Sequence, residues 1–228
     1  VHRRGVHALD RRGGVLVSAS EDLLAAWRLR RDAMAETARR PCPIAGVATA
    51  FQMLADGNTL LLAGQLGHSE RGLPVLDLRR GLATVGCLAT RARSVLDVEE
   101  MEPNRGAGTT VVGATPNRAH LWDLRASEHA VARLPVAHIA SLAALETASV
   151  AVILAAVGTE VNGYDPRMLP SDCKASRQPP ARVLQLSAPG KASLCSIAAL
   201  DNIVVGGDSE GKVCVWDVHD TKSLAETA

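Results

Sequence analysis

Aromatic residues are the scarcest feature of this 228-residue chain: Trp27, Phe51, Trp122, Tyr164 and Trp216 are the only five. At 2% of the composition they exclude a core of clustered rings and provide few stacking platforms for single-stranded nucleic acid. Lysine is scarce too, with 4 Lys against 21 Arg. Basic and acidic residues nearly cancel at 25 to 24, so net charge makes no case for nucleic acid or an anionic membrane as the main partner. No apolar run approaches the ~18 residues of a membrane-spanning helix, and the longest, Val150 to Val157, has the length of a buried strand.

Other absences narrow the chemistry. The five cysteines (Cys42, Cys87, Cys173, Cys195, Cys214) are odd in number and widely spaced, which argues against a disulfide framework or a zinc cluster. They read as buried thiols in a reducing compartment, hence an intracellular setting in nucleus or cytoplasm. The seven His lack metal-ligand spacing, and no Gly-x-Ser-x-Gly elbow occurs. Gly206 to Lys212 has the glycine and lysine spacing of a phosphate-binding loop. Val213 follows where Ser or Thr is needed, and a strand pattern follows where a helix is needed, so it reads as a turn. No catalytic, metal or cofactor-binding residue is assigned. The chain lacks an initiator Met and a secretory leader, so it is expected to be a piece of a longer product.

What is present is a repeat. Trp27, Trp122, Tyr164 and Trp216, with Leu76 filling a gap, are spaced by 49, 46, 42 and 52 residues. Four of these positions open variants of one phrase: Leu76-Asp77-Leu78-Arg79, Trp122-Asp123-Leu124-Arg125, Tyr164-Asp165-Pro166-Arg167 and Trp216-Asp217-Val218-His219. Upstream of each lies an apolar stretch, a turn and a nearly continuous apolar run such as Leu60 to Ala63 or Ile203 to Val205. Short apolar runs bounded by turn residues read as strands buried on both faces. One segment dissents. Ser20 to Arg40, taken alone, suits an amphipathic helix, but in register it supplies a third strand over about Leu23 to Leu29 and an outer strand, the alternative left open being a short helical excursion around Asp32 to Arg39.

Strand, turn, strand, turn, strand ending in Trp-Asp resembles the repeats of the WD-repeat β-propeller family. The resemblance spans nearly the whole chain and implies an all-β propeller with about five four-stranded blades. The repeats run approximately over 1–40, 41–88, 89–135, 136–187 and 188–228 of a single domain. The last blade would take its outer strand from about Ser223 to Glu226. These are expected to be five blades of a larger, six- to eight-bladed ring, the alternative being a closed ring of five. The family's Gly-His element falls in register with His2, Pro43, Arg91, His138 and Gly190, and implies that His2 and His138 join buried networks reaching the strand Trp. With Leu76 in place of a ring, the second blade is expected to be the least firmly packed.

The resemblance also implies a non-enzymatic scaffold mediating protein–protein contacts in a multisubunit assembly. Arg79, Arg125 and Arg167, each two places after Asp77, Asp123 or Asp165, resemble the turns by which WD-repeat substrate receptors dock the adaptor of cullin-RING ubiquitin ligases. That is one alternative. A second is contact with RNA or phosphoinositide through the Arg-rich N-terminal segment, where nine Arg face five acids in the first 40 residues. Glu99, Glu100 and Glu102 read as a solvated acidic loop, and the stretches 65–72 and 166–182 as extended loops that are either contact surfaces or tolerated insertions.

Overall fold

A computed structural model of the chain describes residues 2–31, 33–44, 48–66, 72–101, 110–146, 151–169 and 182–218. Each repeat folds as an antiparallel meander. The first sheet holds β1 (Val6–Arg12), β2 (Val15–Ser20), β3 (Leu23–Arg30) and β4 (Ala33–Pro41). The second holds β5 (Ala48–Met53), β6 (Thr59–Gly64), β7 (Gly72–Asp77) and β8 (Ala83–Ala89). β9 (Asp97–Met101), β10 (Thr110–Thr115), β11 (Arg118–Asp123) and β12 (Ala132–Leu134) make the third. β13 (Ile139–Glu146), β14 (Ala151–Val157), β15 (Glu160–Tyr164) and β16 (Leu184–Ser187) make the fourth. β17 (Leu194–Leu200), β18 (Ile203–Asp208) and β19 (Val213–Asp217) are the described strands of the fifth; its expected outer strand at Ser223 to Glu226 lies outside the described residues.

The repeat is also visible in irregularities of the backbone. The first strands of four sheets slip register just inside their start, between Val6 and Ala8, Ala48 and Ala50, Ile139 and Ser141, and Leu194 and Ser196. A bulge at a fixed place bends each strand in the same way. Two residues past Trp27, Leu76 and Trp216 the backbone N–H donates to the turn before the second strand: Leu29 to Gly14 at 2.7 Å, Leu78 to Asn58 at 2.8 Å and Val218 to Asn202 at 2.7 Å.

The chain divides into two compact units, residues 1–113 with 122–130, and residues 114–121 with 131–228. In the first unit Val17, Leu24, Leu60, Leu61, Leu62, Leu73, Leu76, Val98, Val111 and Trp122 belong to one buried cluster. In the second, Ala143, Leu145, Val152, Leu154, Leu194, Ile197 and Val204 form another. The second strands sit deepest. From Leu60 to Ala63 and from Val152 to Ala156 every residue is fully buried, which explains their unbroken apolar runs.

Three expectations change and one alternative closes. The segment around 33–41 is strand throughout, without a helical excursion, because β4 pairs with β3 from Leu23–Pro41 to Arg30–Ala33 and those hydrogen bonds outweigh the helix propensity of Ala. The second sheet is not the weakly packed one: Leu76 is completely buried. Glu99 and Glu100 lie on β9, not in a solvated loop, and Glu100 is 2% exposed; Glu102 lies outside the described residues. Cys214 is buried, but Cys42 and Cys87 are half-buried and Cys195 is exposed, so the thiols are not uniformly interior.

Candidate functional site

Every phrase position falls on a third strand: Trp27 on β3, Leu76 on β7, Trp122 on β11, Tyr164 on β15 and Trp216 on β19. Their partners across the second strand are equivalent as well, Leu16, Leu60, Ile153 and Val204 opposite Trp27, Leu76, Tyr164 and Trp216. Two residues further along the second strand, on the same face, stand Ser18, Leu62, Ala155 and Gly206. A ring needs room there. A Cβ on Gly206 would come within 3.0 Å of Trp216, and one on Gly113 within 2.9 Å of Trp122. Where the ring is replaced by Leu76, the diagonal neighbour is Leu62, so the pair keeps its volume.

The indole N–H adds a tether between sheets. Trp122 donates Nε1–H to the carbonyl of Ala89, the last residue of β8, and Trp216 donates to Ser187, the last residue of β16, each at 3.3 Å. Trp27 instead donates to Ser18 Oγ at 3.1 Å. His2 continues that network: its ring nitrogens lie 2.8 Å from Ser18 Oγ and 2.8 Å from Ser20 Oγ, and Ser20 donates to Asp22 at 2.8 Å. A His2 ring protonated on Nδ1 satisfies all three contacts, since Ser20 already donates to Asp22. The Ser20 hydroxyl holds the Asp22 carboxyl below its ordinary range. His138 behaves differently. It is exposed, has φ 60° in the left-handed region, and its side chain joins no network among the described residues. His138 stands immediately before β13, whereas His2 lies four residues ahead of Val6 at the start of β1, so the Gly-His register does not carry over.

The Asp of the phrase caps its own turn. Asp77 Oδ1 accepts from Arg79 N at 2.8 Å, Asp123 Oδ1 from Arg125 N at 2.9 Å, and Asp165 Oδ1 from Arg167 N at 2.9 Å. Short 3-10 turns follow at Leu78–Arg80 and Pro166–Met168. The arginines then project: Arg125 and Arg167 side chains are 64% and 67% exposed. Arg167 still grips Asp165 through Nη2 at 2.7 Å, and that hydrogen bond holds the Asp165 carboxyl below the usual carboxylate range. Arg125 reaches Asp123 at 3.4 Å, and Arg79 bonds the side-chain oxygen of Asn58 at 2.8 Å. Asn58 was not singled out from sequence, nor was Asn202, which donates to Asp217 Oδ1 at 2.7 Å. The signal was there: both are the last turn residue before an apolar second strand. His219 lies outside the described residues, as do most of 166–182 and the centre of 65–72.

A second polar constellation joins first strands in the first unit. Arg12 on β1 pairs with Glu100 on β9 at 2.8 Å and donates to the carbonyl of Met53 at 3.0 Å. Glu100 Oε1 accepts from Ala55 N at 2.9 Å, and Asp10 accepts from Met53 N at 2.7 Å. Beside them burial, then the charges of Asp97, Asp10 and Glu100, push the Glu99 carboxyl up to about 8. In the second unit burial lowers His120 to about 4, assisted by Arg133 and Arg118. Gly206 to Lys212 ends β18 in a tight turn, with Asp208 Oδ1 accepting from the N–H groups of Glu210 and Lys212 at 2.9 Å each. Among the described residues no group of three or more His, Cys, Asp or Glu is placed to hold a metal ion, and no helix is long and apolar enough to cross a membrane.

No protein-family model matches the chain, and no curated protein matches it. Among solved structures, the WD40 β-propeller domain of Doa1 superposes with a TM-score of 0.69 over 97% of this chain and 68% of that one, at 13% identity. The fold is that of a WD40 β-propeller. Within it, the phrase residues are third-strand anchors and the turns after them are surface elements on which a WD40 propeller presents side chains. At this identity the likeness concerns fold alone.

Proposed function

We propose that this WD40 propeller is a non-enzymatic scaffold that holds proteins together in a multisubunit assembly, in an intracellular setting in nucleus or cytoplasm. The fold supports a protein-interaction role in general. The observation that carries the reading is the self-capped turn. Asp77, Asp123 and Asp165 satisfy their own backbone donors, so the neighbouring arginines can be offered outward without loosening the sheet. Rigid sheets with exposed, internally supported turns are suited to contact with partners, and among the described residues they bring together no nucleophile, base and oxyanion set of the kind turnover needs. The thiols of Cys195 and Cys214 are free, in keeping with a reducing compartment. The test is cross-linking and mass spectrometry of the native protein from its own cells. Migration as a monomer with no reproducible neighbour overturns the proposal.

The exposure of Arg125 and Arg167 favours a second reading, a substrate receptor of a cullin-RING ligase that docks its adaptor through these turns. Under that reading Arg125→Glu with Arg167→Glu abolishes adaptor binding and leaves the circular dichroism spectrum unchanged. Recovery of the adaptor by the double variant removes it.

A further inference from the structure

In the first unit the charges are sorted. The strand ends at which β1, β5 and β9 terminate are drawn together by Arg12–Glu100, Ala55–Glu100 and Asp10–Met53. Third strands β3, β7 and β11 run the same way as the first strands of their sheets, so their ends share that side. On it stand Arg28, Arg30 and Arg31 from the first sheet, Arg79 and Arg80 from the second, and Arg125 from the third, all exposed. Among the described residues, the acids beside them are engaged by backbone and hydroxyl donors. Asp56 accepts from the N–H groups of Asn58 and Thr59 and from the Thr59 hydroxyl, and Asp77 and Asp123 cap their turns. Arg28, Arg30 and Arg31 have no ion pair among the described residues, while Arg80 and Arg125 hold only long pairs of 3.5 and 3.4 Å at 74% and 64% exposure. Such exposed pairs contribute little and are readily exchanged. Among the described residues, six arginines thus outnumber the three aspartates Asp56, Asp77 and Asp123 on this margin, which is cationic in a chain of net charge +1.

We infer that this third-strand margin of the first three sheets binds an acidic polypeptide segment, rich in Asp and Glu. Guanidinium groups match carboxylates in bidentate pairs, and a row of them on rigid strand ends loses little freedom on binding. The aromatic positions decide against nucleic acid. Phe51 and Trp122 are buried, and Trp27, half-buried beside Arg28 and tied to Ser18 Oγ, leaves the margin no fully exposed ring for a base to stack upon. The inference rests on the scaffold reading and gives one of its surfaces a class of partner.

The test is fluorescence anisotropy of a labelled peptide of alternating Asp and Glu, about 12 residues long, titrated with the whole chain at low and physiological salt. Binding that weakens with salt is expected, because the contacts are between exposed charges. The triple variant Arg28→Glu, Arg30→Glu, Arg79→Glu should weaken it at least tenfold. A charge-matched variant, Arg3→Glu, Arg91→Glu, Arg93→Glu, alters exposed arginines at the opposite strand ends and should stay within twofold. Single variants at Arg30 and Arg79, each with several-fold loss, stand in if the triple variant melts early. Equal loss in both triple variants, no loss in the first, or tighter margin-dependent binding of a single-stranded RNA of equal charge overturns the inference. Any of these leaves the scaffold reading standing, since that falls only with the native assembly.

Discussion

The second and fifth sheets make opposite use of the same strand pattern. The second has no aromatic anchor, yet β6 is buried on both faces from Leu60 to Ala63 and Leu76 is wholly enclosed. The fifth has Trp216, yet among the described residues one of its faces is open. Its cross-strand registers put Ala198, Leu200, Val205, Val213 and Val215 on a common face, where Leu200, Val213 and Val215 are 76%, 69% and 65% exposed. Burial along β18 alternates accordingly, with Val204 fully enclosed and Ile203 and Val205 partly so. A large ring therefore does not decide how firmly a sheet is held. The number of its faces that are covered does, because stabilisation follows apolar area removed from water.

The largest expected effect separates the two sheets directly. Leu62→Ala should cost about 2–5 kcal/mol in urea unfolding by leaving a cavity, while Val215→Ala should stay within about 0.5 kcal/mol. Equal losses would end the comparison. Next, Leu76→Trp should destabilise by about 1–3 kcal/mol, because Leu62 occupies the space that Gly113 or Gly206 leaves beside a ring. Adding Leu62→Ala to Leu76→Trp should cost far less than Leu62→Ala alone, with a coupling of about 1 kcal/mol or more; strict additivity would show that the pair does not share a volume.

The first strands differ too, since β9 carries charge and β17 carries none. The folded chain holds a proton on Glu99 up to about pH 8, whereas the unfolded chain releases it near 4.5. Between those values the folded state binds more protons, so this group's contribution to stability falls as pH rises. Glu99→Gln should be neutral near pH 4.5 and stabilise by about 1–2 kcal/mol at pH 9, read from urea midpoints. A pH-independent difference would contradict the burial of Glu99. His120 acts in the other direction, its neutral folded form making stability fall as pH drops from 6.5 toward about 4. The smallest effect is expected from Val213→Thr with Val215→Thr: a change within about 0.5 kcal/mol, accompanied by reduced binding of an apolar dye. Unchanged dye binding would mean that the open face is not the chain's accessible apolar surface.

The architecture was legible because it is written many times. The apolar runs at Val15 to Val17, Leu60 to Ala63 and Ile203 to Val205 fall on second strands, and the phrase residues fall on third strands in matching register. Repetition let four copies outvote the helix propensity of Ser20 to Arg40. What escaped notice depends on pairs distant in sequence. The sheet led by Leu76 looked weak because Leu62 was not recognised as its counterpart, and Glu100 looked solvated because Arg12 lies 88 residues away. The turns were readable as Asp-x-Arg, but the capping of Arg79, Arg125 and Arg167 by the preceding Asp was not, since it is a matter of backbone geometry. His138 shows the limit from the other side, a residue in motif register without the contacts of the motif.

The bond between Arg12 and Glu100 also bears on the order in which the chain folds. Each meander closes through neighbours a few to about thirty residues apart, and such local pairings form early. The polar links among first strands join residues 43, 45 and 88 positions apart, so the first two wait until neighbouring sheets meet and Arg12–Glu100 waits until three stand side by side. Interactions completed after the rate-limiting barrier leave the folding rate nearly untouched and act on escape from the folded state. Arg12 and Glu100 are thus placed as a late latch, one that lengthens the lifetime of the first unit without hastening its assembly.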